Sequence, residues 1–191
     1  MEIRNLTFAY PGSDKAIFHG LTLSISIEKG EIVALKAPSG AGKTTLLRLL
    51  AGLEKPLSGE IECEKAVLLF QEDRLLPRFT ARQQLEAVLP SGADIATYLK
   101  AVDLEDAADM PVEELSGGMK RRLALARAIA FAKETGRDLL LLDEPFTGVD
   151  LERITSILET LRAQKFKTLM TSHGEDVLAL ADRVVLLDPM A

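Results

Sequence analysis

The chain has 191 residues, of which 47% are hydrophobic, 27% charged and 5% aromatic, with one cysteine and a net charge of −6. This length predicts one domain, and the composition excludes a disordered, collagen-like or disulfide-built chain. The longest aliphatic runs are far shorter than the roughly 20 residues that cross a bilayer, and the acidic balance argues against a broad phosphate-backbone footprint, so no nucleic-acid partner is expected.

Two segments near the amino end alternate apolar and polar residues, a pattern typical of half-buried antiparallel strands. They are Ile3–Tyr10 and Leu21–Ile27. The next segment, Glu31–Lys36, has a continuous apolar centre and predicts a strand covered on both faces. Residues 1–5 show no basic head before an apolar stretch, so we expect no secretory signal, and the lone cysteine fits a reducing cytoplasm.

The middle of the chain predicts a helix, a strand and then weaker helical patterns. The helix covers Lys43–Leu50, and a hairpin-like segment leads from it to a second buried strand at Ala66–Phe70. Between residues 80 and 108 the helical patterns are short, and no strand is indicated. We therefore expect a short helical subdomain, inserted in the core at about residues 72–118.

From Ser116 onwards helices and strands alternate. The predicted elements are a helix from the Ser116 N-cap to Lys133, strand Leu139–Leu142, helix Asp150–Gln164, strand Lys167–Thr171, helix Glu175–Ala181 and strand Arg183–Leu187. Such alternation favours an α/β fold with a covered, mainly parallel sheet, here joined to an antiparallel N-terminal β flank and the helical subdomain. We expect one domain over residues 1–191.

A glycine-rich loop joins the strand Glu31–Lys36 to the helix that begins at Lys43. It reads Ala37-Pro38-Ser39-Gly40-Ala41-Gly42-Lys43-Thr44-Thr45. After a strand and before a helix, this is a Walker A phosphate loop, whose backbone N–H groups surround phosphate and whose presence predicts a P-loop NTPase core. Lys43 would contact the β and γ phosphates, and Thr44 would hold Mg²⁺. Ala37 stands where the motif usually begins with glycine, and the alternative is a tight turn that binds nothing.

Two carboxylates, Asp143 and Glu144, follow the strand Leu139–Leu142. They lie at its carboxyl end, where parallel sheets present their ligands. Asp143 can hold the Mg²⁺ shell through water, and Glu144 can take a proton from an attacking water. Alternatively the two acids cap the segment that begins at Pro145. The phosphate loop and the acid pair together also fit small-molecule kinases and GTPases.

A second anion-seeking helix start is found in Leu115-Ser116-Gly117-Gly118-Met119. With the Walker A loop, the acid pair and His173, in this order, it resembles the ATP-binding cassette family over nearly the whole chain. The resemblance implies a Mg²⁺-dependent ATP hydrolase in which two copies pack head to tail around two ATP molecules. Ser116, Gly117 and Gly118 would then contact the partner's nucleotide. Met119 replaces the family's usual glutamine, and on the residues alone Ser116 could be only a helix cap.

The resemblance also implies roles for four isolated side chains. Tyr10 would stack on adenine, Gln71 would touch Mg²⁺, and Asp150 would cross the dimer seam. His173 would sense the γ-phosphate and order the water, and it would be catalytic together with Glu144 and Lys43. The residues by themselves leave simpler interpretations open: a strand-end tyrosine, a helix cap at Asp150 and a structural histidine.

The loop Gln71–Pro77 is similar to that of importers for nitrate, sulfonate and taurine. This likeness implies an ATPase subunit that is cytoplasmic and peripheral on the inner face of the cell membrane, with a separate transmembrane permease subunit and a substrate-binding protein. Leu75, Leu76 and Phe79 would form an apolar socket for a permease helix, or they simply pack the helical subdomain. Two other classes stay open: a soluble ATPase of the same superfamily that acts on nucleic acid or the ribosome, and a module that holds ATP without cleaving it.

Overall fold

The computed structural model describes residues 1–13 and 15–188. The amino-terminal part forms a three-stranded antiparallel sheet from β1 (Glu2–Phe8), β2 (Phe18–Ser24) and β4 (Ser58–Glu62), with β1 in the centre. β2 begins three residues before the predicted start because its pairing with β1 runs out to Phe8 and Phe18. The expected hairpin-like segment supplies only β4, which pairs with β1.

The core of the chain is a five-stranded, fully parallel sheet, as predicted. It consists of β3 (Ile32–Lys36), β5 (Ala66–Leu69), β6 (Leu139–Leu142), β7 (Lys167–Thr171) and β8 (Arg183–Leu186), in the order β5-β6-β7-β3-β8. All four leucines of β6 are fully buried. Alternate leucines of this strand belong to two different apolar clusters, one on each face of the sheet, which explains its uninterrupted aliphatic sequence.

Within the described residues, six α-helices pack with these sheets. They are α1 (Lys43–Leu50), α2 (Ala81–Glu86), α3 (Ile95–Lys100), α4 (Gly117–Glu134), α5 (Leu151–Ala163) and α6 (Glu175–Leu178). The short helices α2 and α3 pack on α4 and form a helical lobe with two 3₁₀ turns at Glu105–Ala107 and Val112–Glu114. The predicted helices lie at the expected places, and α6 is three residues shorter at its end. Within the described part of the chain, no helix has the length and apolarity that crossing a bilayer requires.

Helix α4 is buried around most of its circumference because it lies between the sheet and the helical lobe. Leu123, Ala126, Ile129 and Ala130 are buried, as the sequence predicts. Arg121 and Arg122, at the start of the helix, are buried too. Charged side chains are almost never buried without partners. We therefore expect hydrogen bonds or ion pairs around both arginines.

Candidate active site

The loops that follow β3, β5, β6 and β7 meet at the carboxyl end of the parallel sheet and enclose a crevice of about 320 Å³. The crevice is lined by Ile17, Ser39, Gly40, Gly42, Lys43, Thr44, Thr45, Gln71, Asp143, Glu144 and His173. Four segments that are distant in the sequence are therefore adjacent, because parallel strands present their carboxyl ends on the same side. This arrangement brings most of the predicted site residues together.

The phosphate loop depends on glycine at Gly42. Its φ is +90°, and a Cβ at this position would lie 2.6 Å from Ile17 Cγ2 and 2.8 Å from Phe18 Cζ. Gly40 also has a positive φ, of 77°, while a Cβ there would meet nothing within 4 Å. The loop thus needs Gly40 for its backbone conformation and Gly42 for both conformation and space.

Lys43 is largely buried, and its ammonium group folds back on the loop. Nζ donates to the carbonyl oxygen of Ala37 at 2.9 Å and to that of Pro38 at 3.4 Å. Ala37, the departure from the usual motif, acts here through its backbone, and its side chain packs against the apolar cluster below. Because both contacts of the ammonium group are to backbone oxygens, Lys43 makes them with alanine at position 37.

Tyr10 lies beside the loop but is not among the residues that line the crevice. Its hydroxyl is 3.2 Å from the Thr45 hydroxyl, and its ring packs edge-on against Phe8 with centroids 5.0 Å apart. The tyrosine is half-buried and fixed at its hydroxyl end. One face of an aromatic ring is thus held near the end of the phosphate loop.

Thr171, at the end of β7, organises both acids. Its hydroxyl donates to Asp143 Oδ1 at 2.8 Å and accepts from the Glu144 N–H at 2.9 Å. Glu144 has a φ of +48°, so its backbone is in the left-handed region that side chains rarely adopt. Thr171 was predicted only as the end of a strand, and nothing in its sequence pattern signals this role.

The side chain of Glu144 lines the crevice. Its Oε1 is buried and has no hydrogen-bond partner among the described residues, and it lies 3.5 Å from Nε2 of His173. The histidine side chain is 60% exposed, whereas that of Glu144 is 17% exposed. A carboxylate that lines a crevice and has one oxygen without a hydrogen-bond partner can accept a proton from a bound water, because that oxygen is not already engaged as an acceptor.

Ser116 and Asp150 both act as helix caps in this chain. Ser116 Oγ accepts from the Met119 N–H at 3.3 Å, and Asp150 accepts from the Arg153 N–H at 3.1 Å. The Arg153 guanidinium also binds the Asp150 carboxylate at 2.8 Å, and this hydrogen bond lowers the pKa of that carboxyl. The described residues that line the crevice do not include Ser116, Gly117, Gly118 or Asp150.

The remaining crevice residues supply oxygen ligands. Thr44 offers a hydroxyl, Gln71 an amide oxygen and Asp143 a carboxylate, and all three line the same space. Hard oxygen donors with a carboxylate are the set that Mg²⁺ prefers. Together with the Glu144 carboxylate and the glycine-rich loop, the donor set fits a magnesium-bound polyphosphate.

A separate groove of about 370 Å³ runs between the sheet and the helical lobe. Leu53, Val88 and Phe131 give it an apolar lining, and Arg127 and Arg137 border it. None of Leu75, Leu76 and Phe79, the residues of the expected socket, lines this groove. Leu75 packs against the core, whereas Leu76 and Phe79 are exposed outside the groove.

Comparison with known proteins gives one family. The model of the ABC transporter family matches residues 21–147. The aliphatic sulfonates import ATP-binding protein SsuB 1 of Rhodococcus jostii (strain RHA1) is 37% identical over 194 residues, a match that covers 91% of this chain and 74% of the relative. The intermembrane phospholipid transport system ATP-binding protein MlaF of Haemophilus influenzae is 36% identical over 220 residues, covering 98% and 80%.

Among solved structures, a dimeric ATP-binding cassette in a post-hydrolysis state, bound to ADP and phosphate, superposes with a TM-score of 0.79. It is 26% identical, and the match covers 98% of this chain and 94% of that one. The family predicted from the sequence motifs is thereby confirmed. This chain belongs to the ABC transporter family, and it is an ATP-binding cassette similar to those of sulfonate importers.

Proposed function

We propose that this chain is the ATP-hydrolysing subunit of a transporter, acts as a homodimer and drives solute movement through a separate membrane permease. One observation carries the proposal. The crevice gathers Lys43, Asp143, Glu144 and His173, whereas the anion-seeking helix start at Ser116 of the same chain lies outside it. A second copy, packed head to tail, would supply its own Ser116, Gly117, Gly118 and Asp150 to complete the site.

Residues 1–191 form one ATPase domain in this proposal, with the helical subdomain at about residues 72–118. Ser39 to Thr45 cradle the phosphates through backbone N–H groups, with Lys43 contributing the positive charge. Tyr10 stacks on the base with the ring that Phe8 and Thr45 hold in place. This division assigns the base and the phosphates to opposite ends of one loop.

Mg²⁺ would be held by Thr44, Gln71 and Asp143. When bound, the cation neutralises developing charge on the phosphate oxygens. The chain's own part is to fix these ligands, and Thr171 does so for Asp143 through its hydroxyl.

Glu144 is the general base of this proposal, since its side chain lines the crevice and its Oε1 has no hydrogen-bond partner among the described residues. His173, which is 3.5 Å from that oxygen, orients the water and contacts the γ-phosphate. Proton transfer by a positioned carboxylate is worth about 10²–10⁴-fold in rate. Loss of the Glu144 carboxylate should therefore lower turnover by about this factor, while the crevice still binds ATP.

The permease would dock in the groove between the sheet and the lobe. The groove combines the apolar side chains of Leu53, Val88 and Phe131 with the guanidinium groups of Arg127 and Arg137. These features suit a short amphipathic helix with an apolar face and a carboxylate. Import is favoured by the name of the sulfonate relative, and it implies a substrate-binding protein and a place on the inner face of the cell membrane.

The proposal is tested by sizing chromatography of Glu144→Gln. We expect a dimer with Mg-ATP and a monomer without nucleotide, because hydrolysis can no longer release the closed form. Glu159→Gln, the same exchange at an exposed position of α5, should behave as wild type. A Glu144→Gln monomer under both conditions would contradict the sandwich.

A dilution series of the wild-type chain provides a second test. ATPase activity per mole should fall as the protein is diluted, since each site requires two copies. Activity that stays constant over the range in which the protein is monomeric would overturn the shared-site mechanism.

A further inference from the structure

Arg121 lies in the first turns of α4, five residues after Ser116, and its side chain is only 3% exposed. Such burial of a guanidinium is unusual unless every N–H finds an acceptor. The sequence pattern of α4 gives this arginine no role, and the mechanism described above does not use it.

The acceptors of Arg121 belong to two catalytic loops. On the β6 side, Nε donates to the carbonyl oxygen of Glu144 at 3.0 Å, and Nη2 donates to that of Asp143. On the β5 side, Nη1 donates to the carbonyl oxygens of Phe70 at 2.8 Å and Gln71 at 3.2 Å. One rigid planar group thus connects the backbones of both loops.

The charge of Arg121 is balanced by one carboxylate in direct contact. Asp73 Oδ1 lies 3.0 Å from Nη1, and the Asp73 side chain is 29% exposed. The remaining contacts are to main-chain carbonyl oxygens. The guanidinium therefore fixes the backbone of these loops and does not depend on which side chains they carry. A lysine ammonium could not make the same fork.

The backbone conformation of Glu144 gives the hydrogen bond from Arg121 a role beyond packing. Its backbone has a φ of +48°, which a glutamate adopts only when its surroundings impose it. Its N–H is bound by Thr171 Oγ1 at 2.9 Å and its carbonyl by Arg121, so both sides of the strained residue are fixed. The Thr147 hydroxyl also donates to the Glu144 carbonyl oxygen, at 3.3 Å, so the direction of the Glu144 carboxylate depends on these three contacts.

We infer that Arg121 is a positioning residue, which fixes the Glu144 backbone and the Gln71 loop to each other and to helix α4. The inference rests on the proposed function, because it takes Glu144 as the base and Gln71 as a magnesium ligand. Arg121 touches neither water nor nucleotide in this assignment. It acts through the residues whose carbonyl groups it holds.

The test compares Arg121→Gln and Arg121→Lys with Arg122→Gln. Arg122 is the matched control, since it is the next residue of α4, is 8% exposed and also donates to backbone carbonyls, those of Val102 and Asp103 in the helical lobe. Both glutamine variants lose a buried arginine. Only the first loses contact with the catalytic loops.

Amide hydrogen exchange of the nucleotide-free protein is the first readout. Arg121→Gln should raise exchange on the order of tenfold in peptides covering residues 70–76 and 143–148, because local opening becomes easier there. Arg122→Gln should raise exchange in residues 100–105 instead. Unchanged exchange in both catalytic loops of Arg121→Gln, or the same pattern in both variants, would overturn the inference.

Steady-state ATPase activity of the assembled protein is the second readout. Arg121→Gln should lower kcat by about 10- to 100-fold with KM within about twofold of wild type, since a small misplacement of a reacting group costs this much. Arg121→Lys should restore thermal stability more than kcat, because it returns the charge without the fork. A raised KM with normal kcat, or a full return of kcat in Arg121→Lys, would refute the positioning role.

The two proposals fail in different ways. A wild-type chain that hydrolyses no ATP at any concentration would contradict the proposed function, while the exchange measurement would still decide whether Arg121 holds the two loops. An active wild type with an equally active Arg121→Gln variant would leave the proposed function standing and remove Arg121 from it.

Discussion

Gly118 lies directly against the backbone of Gly148: a Cβ built on Gly118 would be 2.4 Å from the Gly148 carbonyl oxygen. Gly148 itself has a φ of +74°, so neither partner of this contact tolerates an ordinary side chain. The helix start at Ser116 and the loop before Asp150 are thereby packed together within one chain. Glycine at position 118 has a packing reason that is independent of any bound nucleotide.

Gly118→Ala should destabilise the protein by about 1–3 kcal/mol, because a backbone atom has to move to admit the methyl group. Gly117→Ala is the matched control for stability, since a Cβ at Gly117 meets nothing within 4 Å. Chemical denaturation of both variants checks the prediction. Equal stability of the two variants would show that the backbone near Gly148 can move at no cost to admit a side chain at position 118.

Lys43→Ala should weaken ATP binding by about 100-fold or more, the loss expected for two charge-assisted contacts to phosphate. The Lys43 ammonium is preorganised by the carbonyl oxygens of Ala37 and Pro38, so the wild type pays little entropy on binding. Isothermal calorimetry measures the change. Lys36→Ala, which removes a half-exposed lysine paired with Glu175, should bind ATP like the wild type. Unchanged binding by Lys43→Ala would contradict the phosphate-loop assignment.

The crevice could be predicted largely from local patterns. A buried strand, a glycine-rich loop and a helix occur within a few residues of Lys43, and Asp143 directly follows another buried strand. The carboxyl ends of parallel strands lie on the same side of a sheet, so recognising those strands also predicts that their following loops are close together. What local patterns do not give is the geometry, such as the left-handed backbone of Glu144.

The contacts of Arg121 could not be predicted in this way. Its acceptors on Phe70, Asp143 and Glu144 are carbonyl oxygens 22 to 51 positions distant in the chain. Every residue has a main-chain carbonyl oxygen, so no residue type in the sequence indicates which of them accept a hydrogen bond from Arg121. An arginine near a helix start is ordinarily solvated, and only the tertiary packing of α4 buries this one.

The apolar socket shows a different limit. Leu76 and Phe79 are exposed hydrophobic residues in a loop, and they were natural candidates for partner contact. The groove proposed for the permease is lined by Val88, Leu53 and Phe131, which come from three separate segments. A surface assembled from distant segments needs the tertiary fold, since no single stretch of sequence contains it.

Cys63 should react slowly with iodoacetamide in the native protein. Burial raises the pKa of its thiol to about 11, against an ordinary value of 9.0, so the thiolate fraction at pH 8 falls by about 100-fold. The native rate should be about 100-fold below that of the unfolded chain and should rise as the pH approaches 11. Since the raised pKa disfavours ionisation in the folded state, its contribution to stability is complete below pH 9 and is lost as pH rises through 11. Equal labelling rates in the native and unfolded protein at pH 8 would contradict this.

Val88→Asp tests the groove as the permease site. Val88 is 40% exposed and lines the groove, and a carboxylate there would have to be desolvated beneath an apolar helix. We expect retention of the co-expressed membrane subunit, measured as the subunit ratio after affinity purification in detergent, to fall by about tenfold or more, as for a central interface residue. Val184→Asp is the matched control, because Val184 is 43% exposed on β8 and lies outside the groove. If both variants retained the membrane subunit equally, the permease would have to bind elsewhere on the surface, whereas loss in Val88→Asp alone would assign the groove to it.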